Sequence, residues 1–133
     1  MKKLARTSMF YMIFGLIFGV FYREFTKIMD FEGTTQLSVL HTHTLILGMF
    51  FFLIVLLLEN AFQLSEQKHF KKFSIFYNSG LGITLLMMTI HGTLTVLGKE
   101  SSAAISGIAG LGHIAITIGL GFFFHSLLNA IKK

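Results

Sequence analysis

The chain of 133 residues contains no cysteine, no proline and no tryptophan, and it carries few charges. Without cysteine it has no disulfide, no thiolate metal site and no cysteine-bound iron–sulfur cluster. Any metal or cofactor must therefore be held by His, Met, carboxylates or backbone. Charged residues make up 13% of the chain, whereas soluble domains carry about 25%. This shortage, together with a mean hydropathy of +0.73, predicts an integral membrane protein.

Four apolar blocks occupy most of the sequence. They predict membrane helices at about residues 7–29, 37–58, 73–97 and 103–128. A helix needs about 20 residues to cross the hydrocarbon, and the first block is charge-free over less than that, so we expect Arg23 to snorkel into the interface. The short connections predict an all-α, up-down four-helix bundle that forms a single membrane domain over residues 1–133.

The basic residues predict the orientation. Eight of the 11 Lys and Arg fall near the two termini and in the middle connection: Lys2, Lys3, Arg6, Lys68, Lys71, Lys72, Lys132 and Lys133. The positive-inside rule then places both termini in the cytoplasm, in a multi-pass protein of the bacterial cytoplasmic membrane. This topology accounts for the net charge of +5, so the expected surrounding is the lipid bilayer and no nucleic-acid partner is predicted.

Six histidines carry the candidate chemistry: His41, His43, His69, His91, His113 and His125. His69 falls in the middle connection and His125 near the cytoplasmic end of the fourth span, where a solvated or interfacial histidine is ordinary. The other four fall in the outer halves of spans two, three and four. Because polar groups are costly in hydrocarbon, four histidines at similar depth indicate a ligand site rather than four incidental hydrogen-bonding side chains.

His41 and His43 stand two residues apart at the start of the second span. Successive helical residues are separated by about 100°, so these two side chains point about 200° apart and cannot chelate one ion in a regular helix. Each must serve a different site on an opposite flank of the helix. One four-helix protomer has little room for two such sites, whereas a ring of identical protomers has room.

The expected ligand is a haem, with copper as the alternative. Neutral imidazole binds zinc, copper or haem iron. A closed zinc site needs three or four protein ligands, whereas a haem needs only two axial imidazoles and an apolar surrounding, which Phe, Leu, Ile and Met supply. Arg23 and Lys27, at the outer end of span one, are candidates to pair with haem propionates.

The stretch LHTHTLILGMFFFLIVLLLE, which begins at Leu40, resembles helices of a known superfamily. Leu40-His41-Thr42 and the apolar run after it are similar to the second helix of the catalytic subunit in cbb3-type oxidases and bacterial nitric oxide reductases, whose His ligates the low-spin haem. The pattern of His41 and His43 also resembles the tenth helix of haem–copper oxidases, where one His serves the low-spin and the other the high-spin haem.

This resemblance implies an assembly. The oxidase subunits have twelve helices in three arcs of four, with helices two and ten in equivalent places, so this chain looks like one arc. It would form a homotrimer with haem b between protomers, ligated by His41 of one chain and His43 of the next. His91 falls roughly where the oxidases place copper-binding histidines, but Gly92 follows it instead of a second His. Over its whole length the chain resembles a small uncharacterised bacterial four-helix membrane family.

The resulting prediction is a bis-His haem b membrane protein that acts in electron transfer or in gas or redox sensing. Three alternatives stay open. The first is an oxygen or nitric oxide reductase, with His91 and His113 holding a second metal. The second is a copper-binding or copper-transport protein that uses Glu59, Asn60 and His125 towards the cytoplasm. The third is a structural subunit without a cofactor. The sequence does not identify the redox partner, nor does it decide whether the protein is an enzyme.

Overall fold

The computed structural model describes residues 1–132, which form four long helices. These are α1 (Lys2–Ile28), α2 (Leu37–Phe62), α3 (Phe70–Val96) and α4 (Ala103–Ile131). Each is long and apolar enough to span a membrane, which confirms the prediction of an all-α fold with four helices of membrane-spanning length and composition. The basic residue Lys133 lies outside the described residues.

The helices extend past several of the expected boundaries. α1 begins at Lys2 instead of about residue 7, and α3 begins at Phe70 instead of 73. At their other ends, α2 reaches Phe62 instead of 58 and α4 reaches Ile131 instead of 128. Hydropathy marks only the part of a helix that lies in hydrocarbon, whereas the backbone hydrogen bonds continue into the polar interface. The sequence therefore underestimates the helix lengths.

Neighbouring helices run antiparallel. We call the end with the α1–α2 and α3–α4 connections the histidine end, and the end with residue 1, the α2–α3 connection and residue 132 the basic end. α1 packs mainly along α2 and α3 mainly along α4, while α2 also contacts α3. Within residues 1–132, α1 makes no extended contact with α4, and a groove lies open between α1 and α3. The molecule thus consists of two helical hairpins placed side by side.

The middle of α2 is wound as a π-helix over Thr44–Phe50. In a π-helical turn the backbone bonds run from i to i+5, which leaves carbonyls accessible to side chains of neighbouring helices. The Ser8 hydroxyl of α1 donates to the Met49 carbonyl, and the Tyr77 hydroxyl of α3 donates to the Leu47 carbonyl, each at 2.9 Å. The π-helix is therefore hydrogen-bonded to both neighbours of α2.

Glycines allow the helices of each hairpin to approach closely. Between α1 and α2, Gly48 lies against the ring of Tyr11, where a Cβ atom would overlap the ring. Between α3 and α4, a Cβ at Gly80 would lie 2.7 Å from the Gly112 carbonyl oxygen. Small residues at such crossings are the usual basis of close helix packing in membranes, where no hydrophobic force drives helices together.

An aromatic cluster fills the core between α2, α3 and α4 towards the basic end. Phe52, Phe73, Tyr77 and Phe123 are all buried. The ring centroids of Phe73 and Phe123 are 5.2 Å apart, and those of Phe51 and Tyr77 are stacked at 4.5 Å. Aromatic pairs at these separations add to the stabilisation from burial alone. Four of the six histidines lie in the other half of the bundle, beyond this cluster.

Candidate functional site

The start of α2 is fixed to α3 by a hydrogen-bonded turn at the histidine end. The Thr35 hydroxyl donates to the Gly92 carbonyl at 2.8 Å and accepts the Leu37 backbone N–H at 3.3 Å. Leu37 packs so closely on Gly92 that a Cβ there would lie 2.7 Å from Leu37 Cγ. The first turns of α2, which carry His41 and His43, therefore have a defined rotation relative to α3.

His41 faces α1. A Cβ at Gly19 would lie 3.7 Å from His41 Cβ, so the bare backbone at Gly19 leaves room beside the imidazole. The ring is partly buried, and its Nδ1 is buried with no hydrogen-bond partner among the described residues. Its Nε2 lies 3.4 Å from the Thr42 hydroxyl, which is long for a hydrogen bond. His41 thus has ring nitrogens that no strong internal hydrogen bond engages.

His43 lies on the opposite side of α2. Leu37–His43 is regular α-helix, so two residues correspond to a rotation of about 200°. The His43 Nδ1–H donates to the Val39 carbonyl at 2.9 Å, which sets the tautomer and leaves the Nε2 lone pair free. Val39 and Ile46, on the same side of the helix, are 44% and 54% exposed. The two imidazoles diverge, and His43 faces the outer surface of the protomer.

His91 of α3 and His113 of α4 come together at one cavity. They line a volume of about 270 Å³ at the histidine end, together with Gln36 and Met87. The His113 Nδ1–H donates to the Ala109 carbonyl at 2.9 Å, which again leaves Nε2 free, while the His91 Nδ1 is buried without a partner in the described part of the chain. Imidazole and thioether groups around one cavity are a donor set suited to a transition metal.

Arg23 lies on α1 one turn beyond Gly19, the residue that His41 contacts. Residues four apart share one face of a helix, so Arg23 follows the flank of α1 on which His41 packs. Its side chain is 81% exposed, and its Nε lies 3.7 Å from the Glu24 carboxylate. An exposed ion pair of this kind contributes little, so the guanidinium can exchange Glu24 for another anion near His41.

A second histidine pair, which the sequence does not predict, lies at the basic end. The ring centroids of His69 and His125 are 4.8 Å apart. The Asn129 side-chain amide donates to His125 Nε2 at 3.0 Å. Desolvation of the partly buried His69 ring, followed by the charges of His125, Lys72 and Lys68, lowers the pKa of His69 below its usual 6.5.

A family model with the description "Protein of unknown function (DUF2871)" matches residues 1–130. The chain belongs to this family. The match covers the candidate residues of this DUF2871 protein at both ends of the bundle, from Arg23 to His125. No curated protein and no solved structure matches the chain significantly. The expected relationship to an uncharacterised four-helix family is confirmed, while the relationship to haem–copper oxidases stays a prediction from the sequence.

Glu59 of this DUF2871 protein holds a turn in place. Its carboxylate accepts the Ser65 backbone N–H at 2.7 Å and also accepts the Ser65 hydroxyl. The side chain is buried, and its bonds close the turn after α2, where Gln63 adopts a left-handed conformation with φ of 50°. Both carboxylate oxygens are thus engaged by the α2–α3 connection, which disfavours Glu59 as a carrier of metal ions.

The donor groups of this DUF2871 protein form a pair and two single imidazoles at the histidine end. The pair is His91 and His113, and the single imidazoles are His41 and His43. Within residues 1–132, no three His, Asp or Glu side chains form a group that could hold one metal ion. A single imidazole becomes part of a metal site only with donors from a cofactor or from another copy of the chain, and a haem supplies four of the six donors itself.

Proposed function

We propose that this DUF2871 protein is a membrane haem b protein in which adjacent copies of the chain share each haem. His41 of one copy and His43 of the next are the two axial ligands. The observation that carries the proposal is the divergence of these imidazoles on the regular helix Leu37–His43. One protomer cannot supply both ligands to one iron, but each side of α2 can supply one ligand to a separate haem.

The residues around His41 and His43 fit a haem. The bond from His43 Nδ1 to the Val39 carbonyl leaves Nε2 as the ligand atom, the arrangement typical of metal-binding histidines. On the other flank, the His41 Nδ1 is buried without a partner and the bare backbone of Gly19 leaves space beside the ring. The exposed guanidinium of Arg23 is placed to pair with a propionate. When bound between two imidazoles, haem supplies one-electron transfer, as electron transport or redox sensing requires.

The assembly that completes this site is a homotrimer in which each protomer takes the place of one oxidase-like four-helix arc. In a closed ring, every copy has one neighbour on its His41 side and one on its His43 side. The positive-inside rule supports a bacterial cytoplasmic membrane location with both termini in the cytoplasm. The basic residues at the end that this rule places in the cytoplasm are Lys2, Lys3, Arg6, Lys68, Lys71, Lys72 and Lys132.

A reduced-minus-oxidised absorption spectrum of the purified protein tests the proposal. We expect a Soret band and a sharp α band in the wild type, and loss of the low-spin spectrum in both His41→Ala and His43→Ala. The control is His125→Ala at the basic end, which is expected to keep the spectrum. A colourless wild-type preparation, after expression with sufficient haem supply, contradicts the proposal.

Co-expression of the two variants tests whether copies share the ligands. A copy with His41→Ala still offers His43, and a copy with His43→Ala still offers His41, so mixed oligomers contain intact sites between unlike neighbours. We expect partial recovery of the low-spin spectrum in the mixture, although each variant alone has none. Absence of recovery in oligomers that contain both chains would show that adjacent copies do not share the site.

A second candidate function rests on His91 and His113, which line one cavity with Met87. If this pair holds a second metal beside the haem, the protein is an oxygen or nitric oxide reductase, or a copper-binding protein. Stoichiometric copper in the purified protein, lost in His91→Ala, would support it. Carbon monoxide binding to the reduced protein distinguishes the reductase, because a bis-imidazole haem has no open coordination position.

A further inference from the structure

A groove of about 700 Å³ runs between α1 and α3 on the surface of the bundle. Phe10, Phe14 and Phe18 of α1 form one wall, and Leu85 and Leu86 of α3 form part of the other. Gly82, also on α3, widens the groove: a Cβ atom placed there would have no neighbouring atom within 4 Å. The surface of the groove is therefore mainly apolar.

The polar side chains inside the groove hydrogen-bond within the protein. The Tyr11 hydroxyl donates to Asn78 Oδ1 at 2.9 Å, and Asn78 Nδ2 donates to the Ser74 carbonyl at 2.8 Å. The hydroxyls of Thr7 and Thr89 donate to carbonyls one turn earlier in their own helices, at 3.0 and 2.8 Å. These groups offer few free donors to a polar ligand, so the interior of the groove suits a hydrocarbon chain.

Positive charge lies at one mouth of this groove. Lys3 and Arg6 line it at the basic end, and both are exposed. Among residues 1–132, no acidic side chain lines the groove. Among the described residues the only ion pair is that of Arg23 with Glu24, at the other end of α1, so the two cations at the mouth have no carboxylate partner. An anion bound at this mouth would lie close to two positive charges that no carboxylate neutralises, next to the apolar groove.

The length of the groove matches one leaflet of a bilayer. From Lys3 to Phe18 the α1 wall extends about 22 Å, at 1.5 Å per residue. The hydrocarbon core of a bilayer is about 30 Å thick, so one leaflet contributes about 15 Å. The part of the groove that exceeds the length of one leaflet leaves room for a headgroup beside the two cations. The groove thus has the charge, the polarity and the length of a lipid with an anionic headgroup.

We propose that the groove between α1 and α3 binds one acyl chain of an anionic phospholipid whose phosphate lies between Lys3 and Arg6. The cations recognise the phosphate, and the phenylalanine wall of α1 holds the chain against Gly82. The site is separate from the haem site, since its charged mouth lies at the basic end and none of the six histidines lines the groove.

Native mass spectrometry of the protein released from phosphatidylcholine nanodiscs that contain a minority of phosphatidylglycerol tests this binding. In the double variant Lys3→Gln/Arg6→Gln, we expect the retained phosphatidylglycerol, relative to phosphatidylcholine, to fall about 25-fold, because each of the two basic residues near an anionic surface contributes about fivefold in affinity. The matched control is Lys2→Gln/Lys71→Gln, which removes the same charge at the same end from residues outside the groove and is expected to keep the preference.

A second experiment fills the groove with a side chain. Gly82→Leu and Gly82→Phe place a side chain in open space, so the fold is expected to persist while retention of phosphatidylglycerol falls to the background of the annular lipid. Gly107→Leu is the control, because a Cβ at Gly107 also meets no atom within 4 Å and this glycine of α4 lies outside the groove.

Each contrary outcome overturns the proposal. An unchanged lipid preference in Lys3→Gln/Arg6→Gln would show that the cations do not hold a phosphate. Loss of a neutral prenyl lipid alone in Gly82→Leu would assign the groove to an uncharged ligand. A smaller oligomer in Gly82→Leu, with lipid retention unchanged, would assign it to a helix of a second copy.

Discussion

The Tyr77 hydroxyl donates a hydrogen bond to the Leu47 carbonyl at 2.9 Å and so attaches α3 to the π-helical turn that follows His43. From the other side, Ser8 of α1 reaches the Met49 carbonyl in the same π-helix. The irregular winding therefore depends on donors from two other helices. The direction of His43 relative to the rest of α2 is set by this arrangement.

Replacing Tyr77 by Phe tests the contribution of this bond. The Leu47 carbonyl then lacks its side-chain donor in an apolar core, so the free energy of unfolding is expected to fall by about 1 kcal/mol. Thermal unfolding in detergent should show a Tm lower by a few degrees. Tyr22→Phe, a partly buried ring that packs against the core, is the control and should leave the Tm close to that of the wild type. Equal Tm values for all three proteins would show that the bond adds no net stability.

Alanine substitution of two glycines should affect stability differently. Alanine is favoured over glycine in a helix by about 1 kcal/mol, and at Gly82 the added methyl meets no atom within 4 Å, so Gly82→Ala should unfold at the same or a higher temperature. At Gly48 the methyl overlaps the Tyr11 ring and pushes α1 from α2, with an expected loss of about 1–3 kcal/mol. Thermal unfolding of both variants measures the difference, and a Gly48→Ala protein as stable as Gly82→Ala would contradict the close α1–α2 contact.

The Ser65 hydroxyl and backbone amide both bind the buried carboxylate of Glu59. Ser65→Ala removes the hydroxyl and keeps the amide bond, so the free energy of unfolding should fall by about 1.5–3 kcal/mol, the range for hydrogen bonds to charged groups. Limited proteolysis of the α2–α3 connection, between Phe62 and Phe70, should be faster in this variant. Ser101→Ala in the α3–α4 connection is the control, and equal cleavage rates in the two variants would show that the Glu59 contact does not hold the turn.

His69 gives the protein a predicted pH dependence. The pKa of His69 is lowered in the folded state, so below pH of about 6.5 the unfolded chain takes up a proton that the folded chain resists. Stability is therefore expected to fall as the pH decreases through this region, and to fall less in His69→Gln. Thermal unfolding between pH 7.5 and 5.5 measures both slopes.

The control for this prediction is Lys71→Gln. Lys71 is exposed and is not among the groups that shift the pKa of His69, whereas Lys68 and Lys72 are. Its substitution should leave the pH dependence of stability as in the wild type. If His69→Gln retains the full wild-type slope, another group causes the acid sensitivity.

The sequence was sufficient to predict the four helices because each apolar block is longer than a soluble protein needs and about as long as a bilayer requires. It also predicted the divergence of His41 and His43, since the geometry of two residues in one α-helical turn is local. The structure retains regular α-helix up to His43 and changes to π-helix immediately after it, so this local argument holds for the pair itself.

The π-helix and the pairing of distant residues were not predictable in this way. The π-helix of Thr44–Phe50 is hydrogen-bonded by Ser8 and Tyr77, which are remote in sequence. The contact of His69 with His125 depends on the rotation of α4, which a uniformly apolar helix does not reveal. One signal was present: both residues fall at the same end of adjacent antiparallel helices. Neither histidine by itself indicates that the two form a pair.

The division into two side-by-side hairpins has a consequence for biogenesis. Because α1 makes its main contacts with α2, this half can complete its glycine and tyrosine packing while α3 is still being synthesised. The second half closes around Gly80 and Gly112 in the same manner. A chain that is cut between residues 63 and 69 would then insert into the bilayer as two separate helical hairpins, which associate there. We therefore expect a cut in this connection to impair assembly less than a cut in either of the other two connections.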